Sequence, residues 1–537
     1  MRGLMMDFPL TTDALLRRAE ALGGAREIVS RLPDRSLHRY PYTDFVARTK
    51  RLATALMRLG LQPGDRVATL CWNHHAHLEA YFGIPLAGGV LHTLNLRLHH
   101  DDLAYIVSHA GDRFLIVDAT LLPLLGKFRS QVALEQVIVV GGGAVPADGA
   151  LDYEQLLSGA EPAASFPDKN EQDAMAMCYT SGTTGRPKGV VYTHRSTVLH
   201  SMGISLGDTL ALRQADVVLP VVPMFHANAW GLPYACVMAL SKLVLPGPFL
   251  DPQSVVELIE KERVTYAAGV PTVWMGLLQL LDSQPEGRDL SSVRGLLVGG
   301  SAAPRAMIEG FEKRHGLPVM HAWGMTETSP LGSTSAPTAE VAAAPDEVRF
   351  AYQATQGRPA PFVEIRAQSA EGIVPWDGRT MGELEVRGPW VAASYFRQEG
   401  RDDRFTRDGW FRTGDIVTID PAGYITIQDR AKDLIKSGGE WISSVALENV
   451  LMGHPDVAEA AVIAVKDSKW DERPLGVVVL KPGAQATADA LRAYLSGRVA
   501  KWWVPDAIEF VDAIPRTSVG KFMKSALRER FHDYGAK

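Results

Sequence analysis

The sequence predicts an α/β protein with a large N-terminal body and a small mixed α/β unit at the C-terminus. Three observations lead to this prediction. Short apolar runs alternate with amphipathic stretches from about residue 40 to 350, half-polar strands of period two follow, and a shorter mixed segment begins near Arg430. Short apolar strands separated by helices are typical of parallel sheets covered on both faces. We expect a body of roughly 430 residues and a C-terminal unit of roughly 110.

Length and composition fit a globular protein with several structural units, and this size favours an enzyme. The 537 residues include 46% hydrophobic and 22% charged side chains. The net charge is −6 and no basic stripe occurs, so we expect no nucleic-acid partner. No segment reaches the roughly 18 apolar residues of a membrane span, and the first ten residues do not form the apolar stretch of a secretory signal. Three scattered cysteines fit a reducing compartment, and we expect a cytoplasmic protein.

The individual elements follow from local patterns. A short helix is predicted with Thr12 as its cap and Gly23 as its stop, because Leu15, Leu16, Ala19 and Leu22 lie along one face. Apolar strands are predicted at 65–71, 114–118, 137–140, 217–222, 265–269 and 295–299.

Later segments change in character. The segment 141–168 is rich in Gly, Ala and Pro, which predicts a surface connection with little fixed structure. Alternating strands at 383–387 and 424–428 predict a small antiparallel sheet or barrel. A strand at 460–465 and helices at 488–495 and 524–531 predict the C-terminal unit.

The most informative segment is the loop Tyr179–Gly189, which reads YTSGTTGRPKG and follows the apolar run Ala174–Cys178. Its glycines let the backbone approach a ligand closely, and its N–H groups and hydroxyls can bind phosphate oxygens. Lys188 adds a positive charge. A polar turn is the other interpretation, but the length and the mix of donors favour phosphate binding. The loop is not a Walker A motif, because the chain contains no Gly-x-x-x-x-Gly-Lys-Ser/Thr pattern.

This loop resembles the signature of the adenylate-forming superfamily, which includes acyl-CoA synthetases, adenylation domains of peptide synthetases and luciferases. Four further segments resemble the family's motifs in the family's order, and the resemblance spans essentially the whole chain. They are Trp323–Thr328 (WGMTET), Trp410–Asp415 (WFRTGD), Asp429–Gly439 (DRAKDLIKSGG) and Pro515–Lys521 (PRTSVGK). Two more segments are most similar to bacterial fatty-acyl-CoA synthetases and 3-methylthiopropionyl-CoA ligases, namely Pro223–Trp230 (PMFHANAW) and Lys436–Ile442 (KSGGEWI).

The resemblance implies a domain organisation. It implies an N-terminal adenylate-forming domain over residues 1–429 and a mobile α+β lid domain over residues 430–537. The N-terminal domain would contain two parallel βα subdomains, at about 1–190 and 191–350, and a small β-barrel at about 351–429.

The resemblance also implies a two-step reaction with ATP and coenzyme A. A carboxylate attacks the α-phosphorus of ATP to give an acyl-adenylate and pyrophosphate, and the thiol of coenzyme A then displaces AMP. The first step brings an anion to a polyanion, so catalysis must depend on cations and donors placed where charge develops. Glu327 and Thr180 match the family's magnesium-binding residues, and a hard cation with few protein ligands suits Mg²⁺.

Several segments would surround the nucleotide. His321–Gly324 would form one wall of the adenine pocket and Gly300–Ala302 the opposite wall, with Thr326 at the α-phosphate. Asp415 would bind the ribose hydroxyls as a bidentate acceptor, and Arg430 the ribose or α-phosphate. The residues that the resemblance assigns to the nucleotide are Thr180, Ser181, Gly182, Thr183, Thr184, Gly185, Lys188, Gly300, Ser301, Ala302, His321, Ala322, Trp323, Gly324, Met325, Thr326, Asp415, Arg430, Lys432, Lys436 and Trp441.

The lid would supply the catalyst and part of the coenzyme A site. Lys521 matches the family's adenylation lysine, and its Pro-Arg-Thr-x-x-Gly-Lys context argues against an idle surface lysine. Lys432 matches the hinge about which the lid pivots between the half-reactions. Gly438 and Gly439 lie where the family binds coenzyme A.

The acid pocket is predicted to be apolar. Amino-acid-activating relatives carry an aspartate where this chain has His226, and a buried unpaired ammonium would be costly, so an amino-acid substrate is disfavoured. His226 is expected to act at the substrate carboxylate or to seal the pocket, with a plain core histidine as the other interpretation. Trp230 matches the residue that gates a fatty-acyl tunnel in the resembling synthetases, and an aromatic side chain that only packs in the core is the other interpretation. Val270 and Trp274 are expected in another wall of the acid pocket.

The predicted function is an AMP-forming acyl-CoA synthetase for medium- or long-chain fatty acids. A ligase for 3-methylthiopropionate or a short aromatic acid is the alternative, and an acyl-AMP ligase that loads a carrier protein is a third possibility. The resembling bacterial synthetases associate through their N-terminal regions, which implies a homodimer.

Overall fold

The computed structural model describes residues 1, 3–142, 149–180, 186–284, 287–398, 400, 402–438, 440–516 and 521–534. Within these ranges, no helix is both long enough and apolar enough to cross a membrane. The strands are β1 (Glu27–Arg31), β2 (Leu37–Pro41), β3 (Arg66–Leu70), β4 (Val90–Thr93), β5 (Asp112–Asp118), β6 (Gln136–Val140), β7 (Leu151–Asp152), β8 (Ala174–Tyr179), β9 (Gly189–Thr193), β10 (Val217–Pro220), β11 (Lys242–Leu245), β12 (Tyr266–Gly269), β13 (Gly295–Val298), β14 (Val319–Gly324), β15 (Leu331–Thr334), β16 (Arg358–Pro359), β17 (Glu364–Ser369), β18 (Gly372–Ile373), β19 (Gly382–Arg387), β20 (Phe411–Ile419), β21 (Ile425–Arg430), β22 (Ile435–Ser437), β23 (Glu440–Ile442), β24 (Val457–Asp467), β25 (Asp471–Leu480) and β26 (Ala507–Phe510).

The helices lie between and after these strands. They are α1 (Thr12–Leu22), α2 (Tyr42–Arg58), α3 (His75–Leu86), α4 (His100–Ala110), α5 (Leu122–Gly126), α6 (Tyr153–Ser158), α7 (His194–Ile204), α8 (Ala227–Trp230), α9 (Leu232–Ala239), α10 (Pro252–Glu262), α11 (Pro271–Ser283), α12 (Arg305–His315), α13 (Ala339–Ala342), α14 (Asp346–Gln353), α15 (Ser444–Met452), α16 (Ala488–Leu495) and α17 (Lys524–Arg530).

Four sheets organise the part of the chain that the structure describes, and the predicted fold class is confirmed. A seven-stranded sheet has the order β7-β6-β5-β3-β4-β8-β9, and a nine-stranded sheet has the order β16-β15-β14-β13-β12-β10-β11-β1-β2. Both are mainly parallel, and antiparallel strands occur at their edges. The apolar strands predicted from the sequence lie in these two sheets, because burial on both faces requires apolar side chains at successive positions.

The remaining sheets are smaller. The five-stranded antiparallel sheet β18-β17-β19-β20-β21 stands where a small barrel was expected. Its strand β20 alternates buried and partly exposed residues from Phe411 to Ile416. The C-terminal sheet has the order β23-β22-β25-β24, with β26 parallel to β25. Strand β21 ends at Arg430 and the first strand of the C-terminal sheet begins at Ile435.

Two local predictions differ from the structure. The segment 141–168 was expected to have little fixed structure, yet it contains β7 and α6, and Asp152 caps α6 by accepting a hydrogen bond from the Gln155 N–H. Burial of Tyr153 and Leu157 explains this order. Helix α1 begins at Thr12, one residue earlier than predicted, because Thr11 and not Thr12 is its N-cap, and Leu22 at its last turn is 58% exposed.

The topology brings candidate loops together. Strands β12, β13 and β14 are parallel neighbours, so the residues after β13 and the residues after β14 meet at one edge of the nine-stranded sheet. Strand β8 ends at Tyr179, directly before Thr180. These strand ends bound the candidate active site.

Candidate active site

Two adjoining cavities lie between the large body and the C-terminal unit. One has a volume of about 410 Å³ and the other of about 460 Å³. They share residues from the nine-stranded sheet, from the end of β21 and from the C-terminal loop. The shared residues are Gly300, Ala322, Trp323, Gly324, Arg430, Asp433, Lys521 and Phe522.

The 410 Å³ cavity has a charged part and an apolar part. Its charged and polar lining includes Thr180, Lys188, Glu327, Arg404 and Lys521. Its apolar lining includes Ile204, Leu210, Trp230, Leu232, Leu297 and Leu331. One continuous space therefore joins groups that suit phosphates to a wall that suits hydrocarbon.

Glu327 lies in a short 3-10 turn after β14 and is held by two protein donors. The Tyr395 hydroxyl donates to Oε1 at 2.6 Å, and the Arg404 guanidinium lies 3.2 Å from the same oxygen. Glu327 is only 3% exposed, so these donors also compensate for its burial. The carboxylate is thus fixed through one oxygen.

Asp415 on β20 is held in a similar way. The Trp323 indole N–H donates to Oδ2 at 3.0 Å, and Arg430 Nε lies 2.6 Å from Oδ1. Asp415 is 1% exposed and faces the 460 Å³ cavity. A buried carboxylate between an indole and a guanidinium can accept hydrogen bonds from neighbouring ligand hydroxyls.

Thr180 and Lys188 stand at the two ends of the glycine-rich loop. The Lys188 N–H donates to Thr180 Oγ1 at 3.1 Å, and the Thr180 N–H donates to the Lys188 carbonyl at 2.9 Å. The Lys188 ammonium contacts the Asp402 carboxylate at 2.5 Å and lies 4.6 Å from the centre of the Tyr395 ring. The loop residues between 181 and 185 lie outside the described residues.

Lys521 reaches the site from the C-terminal unit and lines both cavities. Burial and the nearby Arg430 guanidinium lower the pKa of Lys521 to about 8, although Asp415 and Glu327 act in the opposite direction. At neutral pH the side chain is therefore mainly an ammonium among partners of both charges.

The side of the cavity that is expected to bind the substrate acid is formed by a turn with a strained backbone. Ala227, Asn228, Ala229 and Trp230 in α8 have φ values of 42°, 51°, 50° and 57°, so this short helix is left-handed. Such a conformation is unfavourable for non-glycine residues. The Cys178 thiol donates to Asn228 Oδ1 at 3.1 Å and fastens the turn to the end of β8.

His226 immediately precedes this turn and lines the 410 Å³ cavity. Burial, together with the nearby Lys521 ammonium, lowers the pKa of His226 to about 3. The imidazole is therefore neutral at physiological pH and can donate or accept a hydrogen bond without adding charge.

Most of the residues predicted for the site are brought together. The 410 Å³ cavity is lined by Thr180, Lys188, His226, Trp230, Gly300, Ala322, Trp323, Gly324, Met325, Thr326, Glu327, Arg430, Lys432 and Lys521. The 460 Å³ cavity adds Ser301, Ala302, His321 and Asp415.

Other predicted residues lie elsewhere. Lys436, Gly438 and Trp441 lie on the β22–β23 hairpin, and among the described residues they line neither cavity. Val270 lies behind Gly300 and is not a lining residue. Trp274, expected in the acid wall, is a core residue whose indole donates to the carbonyls of Gly269 and Leu297. The predicted residues outside the described part of the chain are Ser181, Gly182, Thr183, Thr184, Gly185 and Gly439.

Sequence reasoning missed Tyr395, Asp402 and Arg404. All three follow β19 and contact Glu327 or Lys188. Their sequence neighbourhood is polar and carries no local pattern that distinguishes it from a surface loop. Tyr395 and Arg404 are identified only by their contacts with Glu327, which lies more than sixty positions away in the sequence.

Comparison with known proteins gives two family matches. Residues 16–396 match the model of the AMP-binding enzyme family, and residues 446–521 match the AMP-binding enzyme C-terminal domain. The first match covers more than half of the chain.

Several curated proteins are similar over nearly the whole chain. A long-chain-fatty-acid–CoA ligase of Thermus thermophilus is 49% identical over 99% of this chain and 97% of its own length. A 3-methylmercaptopropionyl-CoA ligase of Ruegeria pomeroyi is 46% identical over 99% of both chains. A medium-chain-fatty-acid–CoA ligase of Ectopseudomonas oleovorans is 44% identical over 99% of this chain and 98% of its own.

Solved structures share the fold. An anthranilate CoA ligase in complex with anthranoyl-AMP superposes with a TM-score of 0.87 at 25% identity and covers 99% of both chains. ATP-bound MatB from Rhodopseudomonas palustris gives a TM-score of 0.83 at 27% identity, over 98% of this chain and 100% of the other.

Proposed function

The chain belongs to the AMP-binding enzyme family and is an ATP-dependent, AMP-forming acyl-CoA synthetase, and we propose that it acts on a medium- or long-chain fatty acid. The observation that carries the proposal is the single 410 Å³ cavity that joins Lys188, Glu327 and Lys521 to an apolar wall. An acid bound there would keep its carboxylate among cations and its tail among hydrocarbon side chains.

In the first half-reaction, a carboxylate oxygen of the acid forms a bond to the α-phosphorus of ATP. The bond from that phosphorus to the bridging oxygen breaks, and pyrophosphate leaves with the electron pair. We propose that Lys521 stabilises the negative charge that accumulates on the carboxylate and α-phosphate oxygens. Lys188 and Thr180 would bind the phosphates that leave, and Thr326 the α-phosphate.

Magnesium fits the residues at the phosphate part of the cavity. The Glu327 carboxylate and the Thr180 hydroxyl are hard oxygen donors that line the same space. We propose that they would hold Mg²⁺, which neutralises phosphate charge when it is bound. The protein donors on Glu327 Oε1 fix the orientation of this carboxylate.

The nucleoside would occupy the 460 Å³ cavity. Asp415 would accept hydrogen bonds from the ribose hydroxyls, and Trp323 would lie against the adenine, with Gly300–Ala302 on the other side. In the second half-reaction, the coenzyme A sulfur bonds to the acyl carbonyl carbon and AMP leaves. We propose that residues 430–537 form a lid that moves between the half-reactions, with Lys432 as its hinge. Of the described residues, Gly438, Lys436 and Trp441 would then reach the site only after that movement.

The chemistry of the acid wall separates the candidate substrates. His226 lines the cavity beside this wall, and His200 accepts a hydrogen bond from the N–H of the wall residue Leu331. Both imidazoles are neutral, because burial lowers the pKa of each to about 3. A substrate ammonium would find no counter-charge there, whereas an alkyl chain gains about 0.8 kcal/mol per buried methylene. A ligase for 3-methylthiopropionate or a short aromatic acid is the second candidate, because a curated relative at 46% identity is a 3-methylmercaptopropionyl-CoA ligase.

Exchange of labelled pyrophosphate into ATP tests this proposal across butyrate, octanoate, palmitate, 3-methylthiopropionate and benzoate. The highest kcat/KM is expected with octanoate or palmitate. A maximum at 3-methylthiopropionate or benzoate would select the second candidate. Acyl-adenylate formation without transfer to coenzyme A would instead favour a ligase that loads a carrier protein.

Assembly and location belong to the same proposal. The resemblance to bacterial fatty-acyl synthetases favours a homodimer, which light scattering can test. Cys71, Cys178 and Cys236 are buried free thiols, which suits a reducing cytoplasm.

A further inference from the structure

The segment after β19 contacts both a cation and an anion of the phosphate site. Asp402 pairs with Lys188, while Arg404 and Tyr395 contact Glu327. We call Tyr395, Asp402 and Arg404 the charge brace. Two of its members have opposite charge, and each contacts a site residue of the charge opposite to its own.

The Asp402 side of the brace is a close ion pair. The Lys188 ammonium lies 2.5 Å from Asp402 Oδ2, and the side chains are 43% and 10% exposed. The Arg404 N–H donates to Asp402 Oδ1 at 3.0 Å, which fixes the carboxylate relative to the backbone. The hydrogen bond from Lys188 helps to keep the pKa of Asp402 below its ordinary value, although burial raises it. Asp402 is thus a carboxylate at neutral pH.

The Arg404 side of the brace acts on Glu327. Arg404 Nη1 lies 3.2 Å from Glu327 Oε1 and donates to the Tyr395 hydroxyl at 3.0 Å. The same guanidinium donates to the carbonyls of Arg412 and Thr413, which fix its position. Among the described residues, the donors to Glu327 meet at one carboxylate oxygen.

Tyr395 stands between the two site residues. Its hydroxyl binds Glu327, while its ring faces the Lys188 ammonium at 4.6 Å. Lys188 and Glu327 line the same cavity and carry opposite charges, so they would attract each other strongly in a partly buried site. A direct Lys188–Glu327 pair would remove both the phosphate-binding cation and the metal-binding carboxylate.

We propose that the charge brace keeps Lys188 and Glu327 apart and releases the first to the triphosphate and the second to its divalent cation. This inference rests on the proposed function, because it takes Lys188 and Glu327 as the phosphate and metal residues. Asp402 competes with phosphate for Lys188, and Arg404 competes with the cation for Glu327. In a variant that lacks only Asp402, Arg404 still holds Glu327, and in one that lacks only Arg404, Asp402 still holds Lys188, so the two site residues stay apart. Removal of either competitor should therefore tighten binding but reduce the accuracy with which the site is arranged.

The phosphate side is tested with Asp402→Asn, and Asp403→Asn serves as the matched control because Asp403 is the exposed neighbour. Calorimetry with inorganic pyrophosphate and no acid measures the effect. Asp402→Asn should bind pyrophosphate about threefold to tenfold more tightly, the size expected for loss of one charge-assisted competitor. Asp403→Asn should match the unaltered enzyme. Weaker or unchanged binding by Asp402→Asn would contradict the proposal.

The metal side is tested with Arg404→Gln, and the exposed Arg407 gives the control Arg407→Gln. Mg²⁺ is titrated into the enzyme with saturating ATP and no acid, and binding is followed by calorimetry. Arg404→Gln should need about threefold less Mg²⁺, whereas Arg404→Lys, which keeps the charge, should remain close to the unaltered enzyme. A higher Mg²⁺ requirement in Arg404→Gln would overturn the competition.

Tyr395→Phe separates the two sides. It removes the hydroxyl from Glu327 but keeps the ring that faces Lys188, so it should change the Mg²⁺ titration and leave pyrophosphate binding unchanged. Steady-state kinetics give a further readout: KM for ATP and kcat should both fall in Asp402→Asn and Arg404→Gln. A purely structural role would instead lower thermal stability and raise KM.

These measurements remain distinct from the test of the substrate. Binding of pyrophosphate and Mg²⁺ requires no acid, so the brace can be tested even if no fatty acid supports exchange. If no acid of the panel supports exchange but the variants show the expected shifts in pyrophosphate and Mg²⁺ affinity, only the proposed substrate is refuted. If a fatty acid supports exchange but the variants bind pyrophosphate and Mg²⁺ like the unaltered enzyme, only the proposal for the charge brace is refuted.

Discussion

The body and the C-terminal unit contribute to the site in different ways. The body presents Asp415 and Glu327, each held by two side chains, on or next to strands of its sheets. The C-terminal unit presents Lys521 from a loop whose preceding residues, 517–520, lie outside the described residues. The comparison indicates that the proposed nucleotide site is preformed in the body, whereas the proposed catalytic lysine comes from a separate unit. Binding and chemistry should therefore respond to different substitutions.

Lys521→Ala gives the largest expected effect and sharpens this comparison. Adenylation should slow by at least roughly 100-fold, comparable to the loss of one transition-state donor. KM for ATP and thioester formation from supplied acyl-adenylate should change little. Single-turnover assays of each half-reaction measure the difference, and Lys466→Ala, an exposed lysine on β24, is the control. Equal damage to both half-reactions would contradict a lysine that serves adenylation alone.

The pH dependence of adenylation gives the next effect. Lys521 acts as an ammonium and its pKa is about 8, so the rate should fall as the pH rises through 8, up to about tenfold per unit above it. ATP binding should be less sensitive, because Lys521 is proposed to act in the chemical step and not in binding. A Lys521→Arg variant stays charged and should lack the alkaline decline. Persistence of the decline in that variant would assign it to another group.

Trp323→Phe tests the body. It removes the indole N–H that binds Asp415 at 3.0 Å but keeps an aromatic face for adenine. KM for ATP should rise about tenfold, as expected for loss of a hydrogen bond to a charged group, and the adenylation rate at saturation should stay close to normal. Trp376→Phe, at a 41% exposed tryptophan, is the control. A loss confined to kcat would break the division between binding and chemistry.

Trp230→Ala has the smallest expected effect, on the choice of acid. The indole forms part of the apolar wall next to Gly299 and Gly300. Its removal enlarges the cavity, and each additional methylene that finds room should favour the longer acid by about fourfold in kcat/KM. Competition between octanoate and palmitate measures the shift. An unchanged ratio would place the end of the acyl pocket elsewhere.

The sequence predicts the fold class and many of the residues that line the site. There is a physical reason for this success. Strands such as β10 and β13 are short, apolar and buried, so their pattern identifies them without tertiary information. Glu327 and Asp415 lie in ordered motifs. Glu327 follows β14 and Asp415 lies on β20 of another sheet, and the hydrogen bond from Trp323 to Asp415 joins the two motifs.

Other features depend on contacts that no local pattern encodes. Arg404 meets Glu327 from 77 positions away, and nothing near Arg404 in the sequence indicates this partner. Trp274 is a large aromatic residue of the kind that often lines a pocket. Here its indole donates hydrogen bonds to two backbone carbonyls, which hold the side chain in the core. The left-handed α8 contains no glycine until Gly231, so sequence rules for turns would not predict it.

The left-handed turn of α8 links the thermal stability of the enzyme to its discrimination between acids. Each non-glycine residue held there costs about 1–2 kcal/mol, so replacement of Ala227 or Ala229 by glycine is an obvious route to a more heat-resistant enzyme. The same replacements would loosen the support of Trp230. Selection for heat resistance alone would therefore erode the discrimination between acids, and laboratory evolution of this enzyme needs to screen for both properties together.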